Sequence, residues 1–309
     1  MAVVFYSLVL DPEPWRTAFA ELMPDLEMRV WPEIGDPAEI EVMLAWRPPS
    51  GALTGMTNLR FLQALGAGVD QLFADPTIPA DLPIARLVDD NLTAGMRDYV
   101  LAMVLKYHRW LDLYARQQAT GLWQRYPHID PPDRRVGIMG LGALGIAAAS
   151  ALAALDFDIA GWSRTPKTLD GIKTYAGSEG WAPFLAHSDI LVCLLPLTPE
   201  TEGILNAATF AGLPAGATVI NAGRGGHLVA ADLVAALDSG HLRGATLDVF
   251  EREPLKPDDP LWRHPKLDIT PHIATISSPR TAAARVAENI RRARAGQPLL
   301  NMVDRSRGY

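Results

Sequence analysis

The stretch Gly140-Leu141-Gly142-Ala143-Leu144-Gly145 constrains this chain more than any other. It directly follows the apolar run RRVGIMG and opens an Ala-rich segment, 143–155, with another β-type run, FDIAGWS, beyond it. Glycine triplets alone arise in ordinary turns. A strand before, a helix after and a further strand about 20 residues on make this one a dinucleotide-binding βαβ unit. The first glycine permits the tight turn and the second lets the backbone approach a pyrophosphate. The third allows close packing of helix on strand, and the N–H groups of the helix start face the anion.

The same alternation runs through most of the chain, which predicts parallel sheets joined by right-handed crossovers. Before the motif the strand candidates are VVFYSLVL, EMRVW, EVMLAW, RFLQAL and PIARLV; with and after it come RRVGIMG, FDIAGWS, DILVCLL, ATVINAG, GATLDVF and LDITPH. Between the two series, 99–123 reads as one long helix, and 279–295 as a last helix whose arginines form a solvated face. At 309 residues the chain exceeds one ordinary compact domain. The expected fold is α/β, with two Rossmann-like, doubly wound parallel-sheet domains, one flavodoxin-like and one dinucleotide-binding. Residues 1–98 and 279–309 would form a discontinuous substrate domain and 99–278 the dinucleotide-binding domain, with the active site in the cleft.

A net charge of −7 without any basic block argues against a nucleic-acid partner. No apolar run approaches the roughly 18 to 20 residues that cross a bilayer, and the N-terminal MAVVFYSLVLDPEPW reads as a first strand, not a signal peptide. Cys193, the only cysteine, cannot form an internal disulfide, which fits a cytoplasmic location.

The second strand of the βαβ unit ends in Gly161-Trp162-Ser163-Arg164-Thr165-Pro166-Lys167. An NAD-preferring site places Asp or Glu there to bond the ribose 2′-hydroxyl. Ser163 in that place, followed by Arg164 and Lys167, suits a 2′-phosphate, so NADPH is expected to be preferred over NADH. The alternative, that both cations are solvated loop charges, stays open. Three later strand ends each carry a reactive residue: Arg224 in Asn221-Ala222-Gly223-Arg224-Gly225-Gly226, Glu253 in Leu247-Asp248-Val249-Phe250-Glu251-Arg252-Glu253-Pro254, and His272 in Thr270-Pro271-His272. An arginine between glycines is well placed to hold a carboxylate and polarise a neighbouring carbonyl.

These segments, with GAGVD at 66–70 and LLPLTPET at 194–201, resemble the D-isomer-specific 2-hydroxyacid dehydrogenases over nearly the whole chain. The resemblance implies that Arg224, Glu253 and His272 are catalytic and that Ala67 and Gly68 hold the substrate carboxylate through their N–H groups. It places Leu195, Pro196, Ala222 and Gly223 on the cofactor side. Asp248 is counted there too, with a structural or pocket-polarity role as the alternative. LAWRPP at 44–49, GWSRTPK, LWRHP at 261–265 and the ending VDRSRGY are most similar to the glyoxylate/hydroxypyruvate reductases of the A type. That subgroup prefers NADPH, and the family forms homodimers. Trp46 would wall a small substrate pocket, a core tryptophan being the alternative.

Reducing a 2-keto acid takes a hydride to carbon and a proton to oxygen, and histidine holds an exchangeable proton near neutral pH. A carboxylate beside it stabilises the imidazolium, which gives Glu253 its role; Glu251, on the same extended segment, is the alternative. The other six histidines, at 108, 128, 187, 227, 241 and 264, have no partner at metal-ligand spacing, so no metal is expected. The expected function is NADPH-preferring reduction of small 2-keto acids such as glyoxylate or hydroxypyruvate. The alternatives are another 2-keto/2-hydroxy acid of the same family, or a non-catalytic NAD(P)H-sensing protein.

Overall fold

Strand runs with both faces apolar need cover on both sides, and the chain supplies it in two separate units. The computed structural model describes residues 2–305, which excludes the last four residues of the VDRSRGY ending. One unit takes the residues up to Leu92 together with those from Ile276 on; the other is Thr93–Thr275. The divisions expected after 98 and 278 therefore fall earlier. Side-chain bonds explain why: Ser277 Oγ donates to the Leu65 carbonyl at 2.6 Å and Thr281 Oγ1 to Asp89 at 3.1 Å, tying 276–281 into the first unit.

The first unit runs β1 (Ala2–Tyr6), α1 (Pro12–Leu22), β2 (Glu27–Val30), β3 (Ile40–Ala45), β4 (Phe61–Ala64), α2 (Asp70–Phe73) and β5 (Ile84–Ala85), and the C-terminal helix Pro279–Arg294 returns to it. Its five strands are parallel in the order β2-β1-β3-β4-β5, the flavodoxin-like order. Alternation sets the two cores: Val3 and Phe5 face one, Ala2 and Val4 the other. The first strand was expected to run to residue 10 but ends at Tyr6. Ser7 Oγ accepts the N–H groups of Val9 and Leu10 at 3.2 and 3.0 Å and turns the chain out, leaving Leu8 and Val9 exposed. The C-terminal arginines are not simply solvated: Arg294 bonds buried Glu41 at 2.8 Å.

The second unit takes most of α3 (Asp90–His108), then α4 (Leu111–Thr120), β6 (Arg135–Met139), α5 (Ala143–Ala153), β7 (Asp158–Ser163), β8 (Lys173–Ala176), α6 (Trp181–Ala186), β9 (Ile190–Cys193), α7 (Ala207–Gly212), β10 (Ala217–Asn221), α8 (Ala230–Asp238), β11 (Leu242–Leu247) and β12 (Leu267–Ile269). The long helix expected over 99–123 starts nine residues earlier and is broken between α3 and α4, where Trp110 takes a left-handed φ of +61°. All seven strands are parallel, in the order β12-β11-β10-β9-β6-β7-β8, a Rossmann order with one added strand. Ile190 and Val192 face one core, Leu191 and Cys193 the other. The strand order reverses between β6 and β9, and the loops leaving their carboxyl ends open there, the place where such sheets bind ligands.

Candidate active site

The glycine loop leaves β6 at this switch point. Gly140 has φ +100°, and a Cβ on it would lie 2.7 Å from the Leu194 carbonyl oxygen, so only glycine fits. A Cβ on Gly145 would fall 1.8 Å from the Gly140 oxygen, the close approach of helix to strand that the spacing predicts. A Cβ on Gly142 meets nothing within 4 Å. Gly142 is also the N-cap of α5 and offers no side-chain acceptor, so the first N–H groups of that helix are left for an outside anion. Gly142 and Ala143 are exposed, Leu144 is half-buried, and Leu141 is buried with its side chain against Gly161. These residues fit the pyrophosphate of a dinucleotide.

At the end of β7, Ser163 turns inward and donates to the Thr165 carbonyl at 2.8 Å, while Arg164 and Lys167 are exposed. Lys167 Nζ donates to the Leu141 carbonyl and so sits on the glycine loop itself. Ser163 occupies the strand end itself, and the Glu200 carboxylate lies near enough to Arg164 to feel its charge. Leu195 and Pro196 leave β9 beside the loop, and the Pro196 carbonyl accepts bonds from Thr201 Oγ1 at 2.7 Å and His227 Nε2 at 3.2 Å.

Arg224, Glu253 and His272 follow β10, β11 and β12, three neighbouring strands, so all three stand on the carboxyl edge that carries the glycine loop. His272 Nδ1 lies 2.7 Å from Glu253 Oε2, and Glu253 Oε1 accepts the Phe250 N–H at 2.9 Å. Glu251 is exposed, so the geometry puts Glu253 on the imidazole. The carboxylate thus holds the Nδ1 side of the ring. A Cβ on Gly225 would lie 1.9 Å from the Phe250 carbonyl carbon; this close backbone approach brings the arginine loop onto the glutamate segment.

His272 has φ +54°, a conformation that is strained for a side-chain-bearing residue. Its own N–H donates to the Asp248 carbonyl at 2.9 Å. The Asp248 carboxylate, fully buried, accepts from Thr270 Oγ1 at 2.6 Å, the Ile273 N–H at 2.8 Å and the Ala274 N–H at 2.9 Å. Burial pushes its pKa up while these donors hold it down. Its carboxylate is thus hydrogen-bonded to the segment that carries His272.

Two further residues escaped the sequence reading. His227, completely buried, accepts the Arg224 N–H on Nδ1 at 3.1 Å while Nε2 donates to Pro196, joining the loops after β9 and β10. Asn221 accepts the Gly223 N–H at 3.2 Å and donates to the Arg224 carbonyl at 3.0 Å. Ala222 is buried between these bonds. The only available signal was the run Asn-Ala-Gly-Arg-Gly-Gly-His itself, whose buried polar ends need partners.

In the first unit, Trp46 follows β3 and covers Gly66, where a Cβ would come within 2.4 Å of its ring. Ala67 and Gly68, next in the chain, are half-buried. Trp46 and the GAGVD loop therefore lie together. Among the described residues, no group of three His, Cys, Asp or Glu is placed to hold a metal ion, and no helix is long and apolar enough to cross a membrane.

Comparison with known proteins gives one consistent picture. The family model "D-isomer specific 2-hydroxyacid dehydrogenase, NAD binding domain" matches residues 101–274. Glyoxylate/hydroxypyruvate reductase A of Serratia proteamaculans is 41% identical over 314 residues, covering 100% of both chains. Among solved structures, a D-isomer specific 2-hydroxyacid dehydrogenase from Xanthobacter autotrophicus Py2, in complex with NADPH and MES, superposes with a TM-score of 0.95 at 46% identity, covering 100% of this chain and 99% of that one. An NADPH-dependent glyoxylate/hydroxypyruvate reductase from Sinorhizobium meliloti, in complex with NADP and sulfate, gives 0.93 at 38% identity with the same coverage.

Proposed function

The chain belongs to the D-isomer specific 2-hydroxyacid dehydrogenase family, and from that premise we propose that it reduces small 2-keto acids, glyoxylate and hydroxypyruvate foremost, with NADPH. The observation that carries this reading is the 2.7 Å pair of His272 and Glu253 on the same sheet edge as the glycine loop. Bound there, NADPH supplies the hydride that reduces the keto carbon. His272 gives its Nε2 proton to the keto oxygen, and Glu253 stabilises the imidazolium and fixes the ring. Arg224 holds the substrate carboxylate with its planar fork and stabilises charge growing on the keto oxygen. The N–H groups of Ala67 and Gly68 are further carboxylate ligands in this reading, and Trp46 sets the size of substrate accepted. Arg164 and Lys167 take the 2′-phosphate. The reading carries with it a cytoplasmic homodimer.

Steady-state reduction of glyoxylate, hydroxypyruvate, pyruvate and phenylpyruvate, each with NADPH and NADH, tests it. We expect the highest kcat/KM for glyoxylate or hydroxypyruvate with NADPH. A preference for phenylpyruvate, or for NADH, overturns the substrate or the cofactor assignment respectively. No turnover with any of the four, despite tight NADPH binding, overturns the catalytic reading as a whole.

A further inference from the structure

The seven-stranded sheet has a second end. At the amino ends of β6, β9, β10, β11 and β12, on the edge away from His272, lies a cavity of ≈450 Å³. Arg116, Arg134, Arg243 and Lys266 line it, with Asp189 as the sole acid of the lining. Asp189 is already engaged by Arg135, at 2.6 Å through one oxygen and 3.1 Å through the other. Nearby Asp112 accepts from Arg116 at 3.1 Å and stands 3.7 Å from Arg243 Nη1, beyond hydrogen-bond reach.

The arginines are under-served. Arg134 is only 8% exposed, yet its Nε and Nη2 have no partner. The Arg243 side chain is 12% exposed; Nη2 donates to the Tyr107 carbonyl at 3.0 Å, while Nε and Nη1 bond nothing. Both guanidinium carbons lie against the Trp110 ring, at 5.4 and 4.2 Å from its centroid. Burial pulls both guanidinium pKa values down. Buried donors left unmet are costly and rare, and they mark a missing partner. The proposed reaction uses none of these residues.

We propose that this cavity is an anion-binding site that takes a small dianion, a phosphate or a dicarboxylate, on the forks of Arg134 and Arg243. Four cations face the space; Asp112 offsets Arg116 and Asp189 is held by Arg135, which leaves the lining positive with charge to neutralise. Guanidinium forks match phosphate and carboxylate oxygens two at a time. Gly216 and Gly240 line the cavity and carry no side chain to close it; a Cβ on either meets nothing within 4 Å. The same chemistry has two sources, a free anion or the acidic side chains of a second copy of this chain.

The test is calorimetric titration of inorganic phosphate into the full-length protein saturated with NADPH, at ionic strength matched with chloride, so that the glycine loop is already occupied. We expect one saturable site per chain, weakened about tenfold or more in Arg134→Gln, as loss of one charged hydrogen bond implies, and weakened also in Arg116→Gln, which removes one of the cations facing the cavity. Arg116→Gln, on a half-exposed helix face, guards against misfolding of the more buried variant. Arg164→Ala should leave this phosphate binding unmoved, and Arg116→Gln should leave kcat with NADPH unmoved. Sedimentation equilibrium separates the sources. If phosphate dissociates an assembly that both arginine variants also weaken, the anion is a second copy's carboxylate. Phosphate binding lost in Arg164→Ala, or neither binding nor assembly responding to Arg116→Gln and Arg134→Gln, overturns the site.

Discussion

The two ends of the seven-stranded sheet treat buried charge in opposite ways. At the carboxyl end each buried charged or polar group is matched: Glu253 by His272 and the Phe250 N–H, Asp248 by three donors, His227 by Arg224 and Pro196. At the amino end Arg134 and Arg243 keep donors that nothing meets. A matched group fixes the position of its neighbours and is pre-organised for chemistry. An unmatched one stores an attraction for something else. Burial is similar at both ends; hydrogen-bond completeness is what tells a working arrangement from a waiting one.

The largest expected effect breaks the matched end. His272→Ala removes the proton donor and should lower kcat by about 10²- to 10⁴-fold, with the Kd for NADPH nearly unchanged, measured by fluorescence titration. Glu253→Gln is subtler, because Gln still accepts from Nδ1 but no longer faces the imidazolium with a charge. The loss of one charged hydrogen bond, about 1.5–3 kcal/mol, corresponds to about 10- to 150-fold in kcat. A kcat that Glu253→Gln leaves unchanged shows that another acid partners the histidine.

The nucleotide loop tests whether exposed cations act like the buried ones. Arg164→Ala should raise the KM for NADPH by about tenfold and leave turnover at saturating NADH unchanged, by loss of a charged hydrogen bond to the 2′-phosphate. Lys167→Ala should do less, since Lys167 is anchored on the Leu141 carbonyl. An equal KM for NADPH and NADH in the wild type removes both from the phosphate.

What was legible in the sequence was local. Gly140, Gly142 and Gly145 announce their loop because three glycine constraints fall within six residues, and Arg224, Glu253 and His272 announce themselves by sitting at strand ends. The strand β8, Lys173–Ala176, escaped because an edge strand with half-exposed faces lacks an apolar run. The break at Trp110 escaped because neither glycine nor proline marks it; the turn is held by Trp110 Nε1 donating to Pro127 at 2.8 Å and by its ring stacked on Tyr126. Asp248 shows the general limit. Its acceptors serve residues 22 to 26 positions away, a relation that no spacing within one segment expresses. The amino-end cavity is of the same kind, assembled from residues 110–116, 134, 189, 216 and 240–266.

The smallest effect concerns the unmatched end and pH. His108, 5% exposed and packed edge-on against Phe157, has its pKa pushed below 6.5, first by burial and then by the charges of Arg134, Arg109 and His128, with Asp130 acting the other way. The unfolded chain therefore binds this proton more readily than the native one. The stabilisation is fully present above pH 6.5 and is lost as pH falls through the lower native value. Denaturant unfolding from pH 8 down to pH 5 should show stability falling with acid, less steeply in His108→Gln. Phosphate should also flatten the slope in the wild type, because an anion beside Arg134 offsets part of the repulsion on the imidazolium. Equal slopes for wild type and His108→Gln detach His108 from acid sensitivity. A slope that phosphate flattens equally in Arg134→Gln places the anion elsewhere on the molecule.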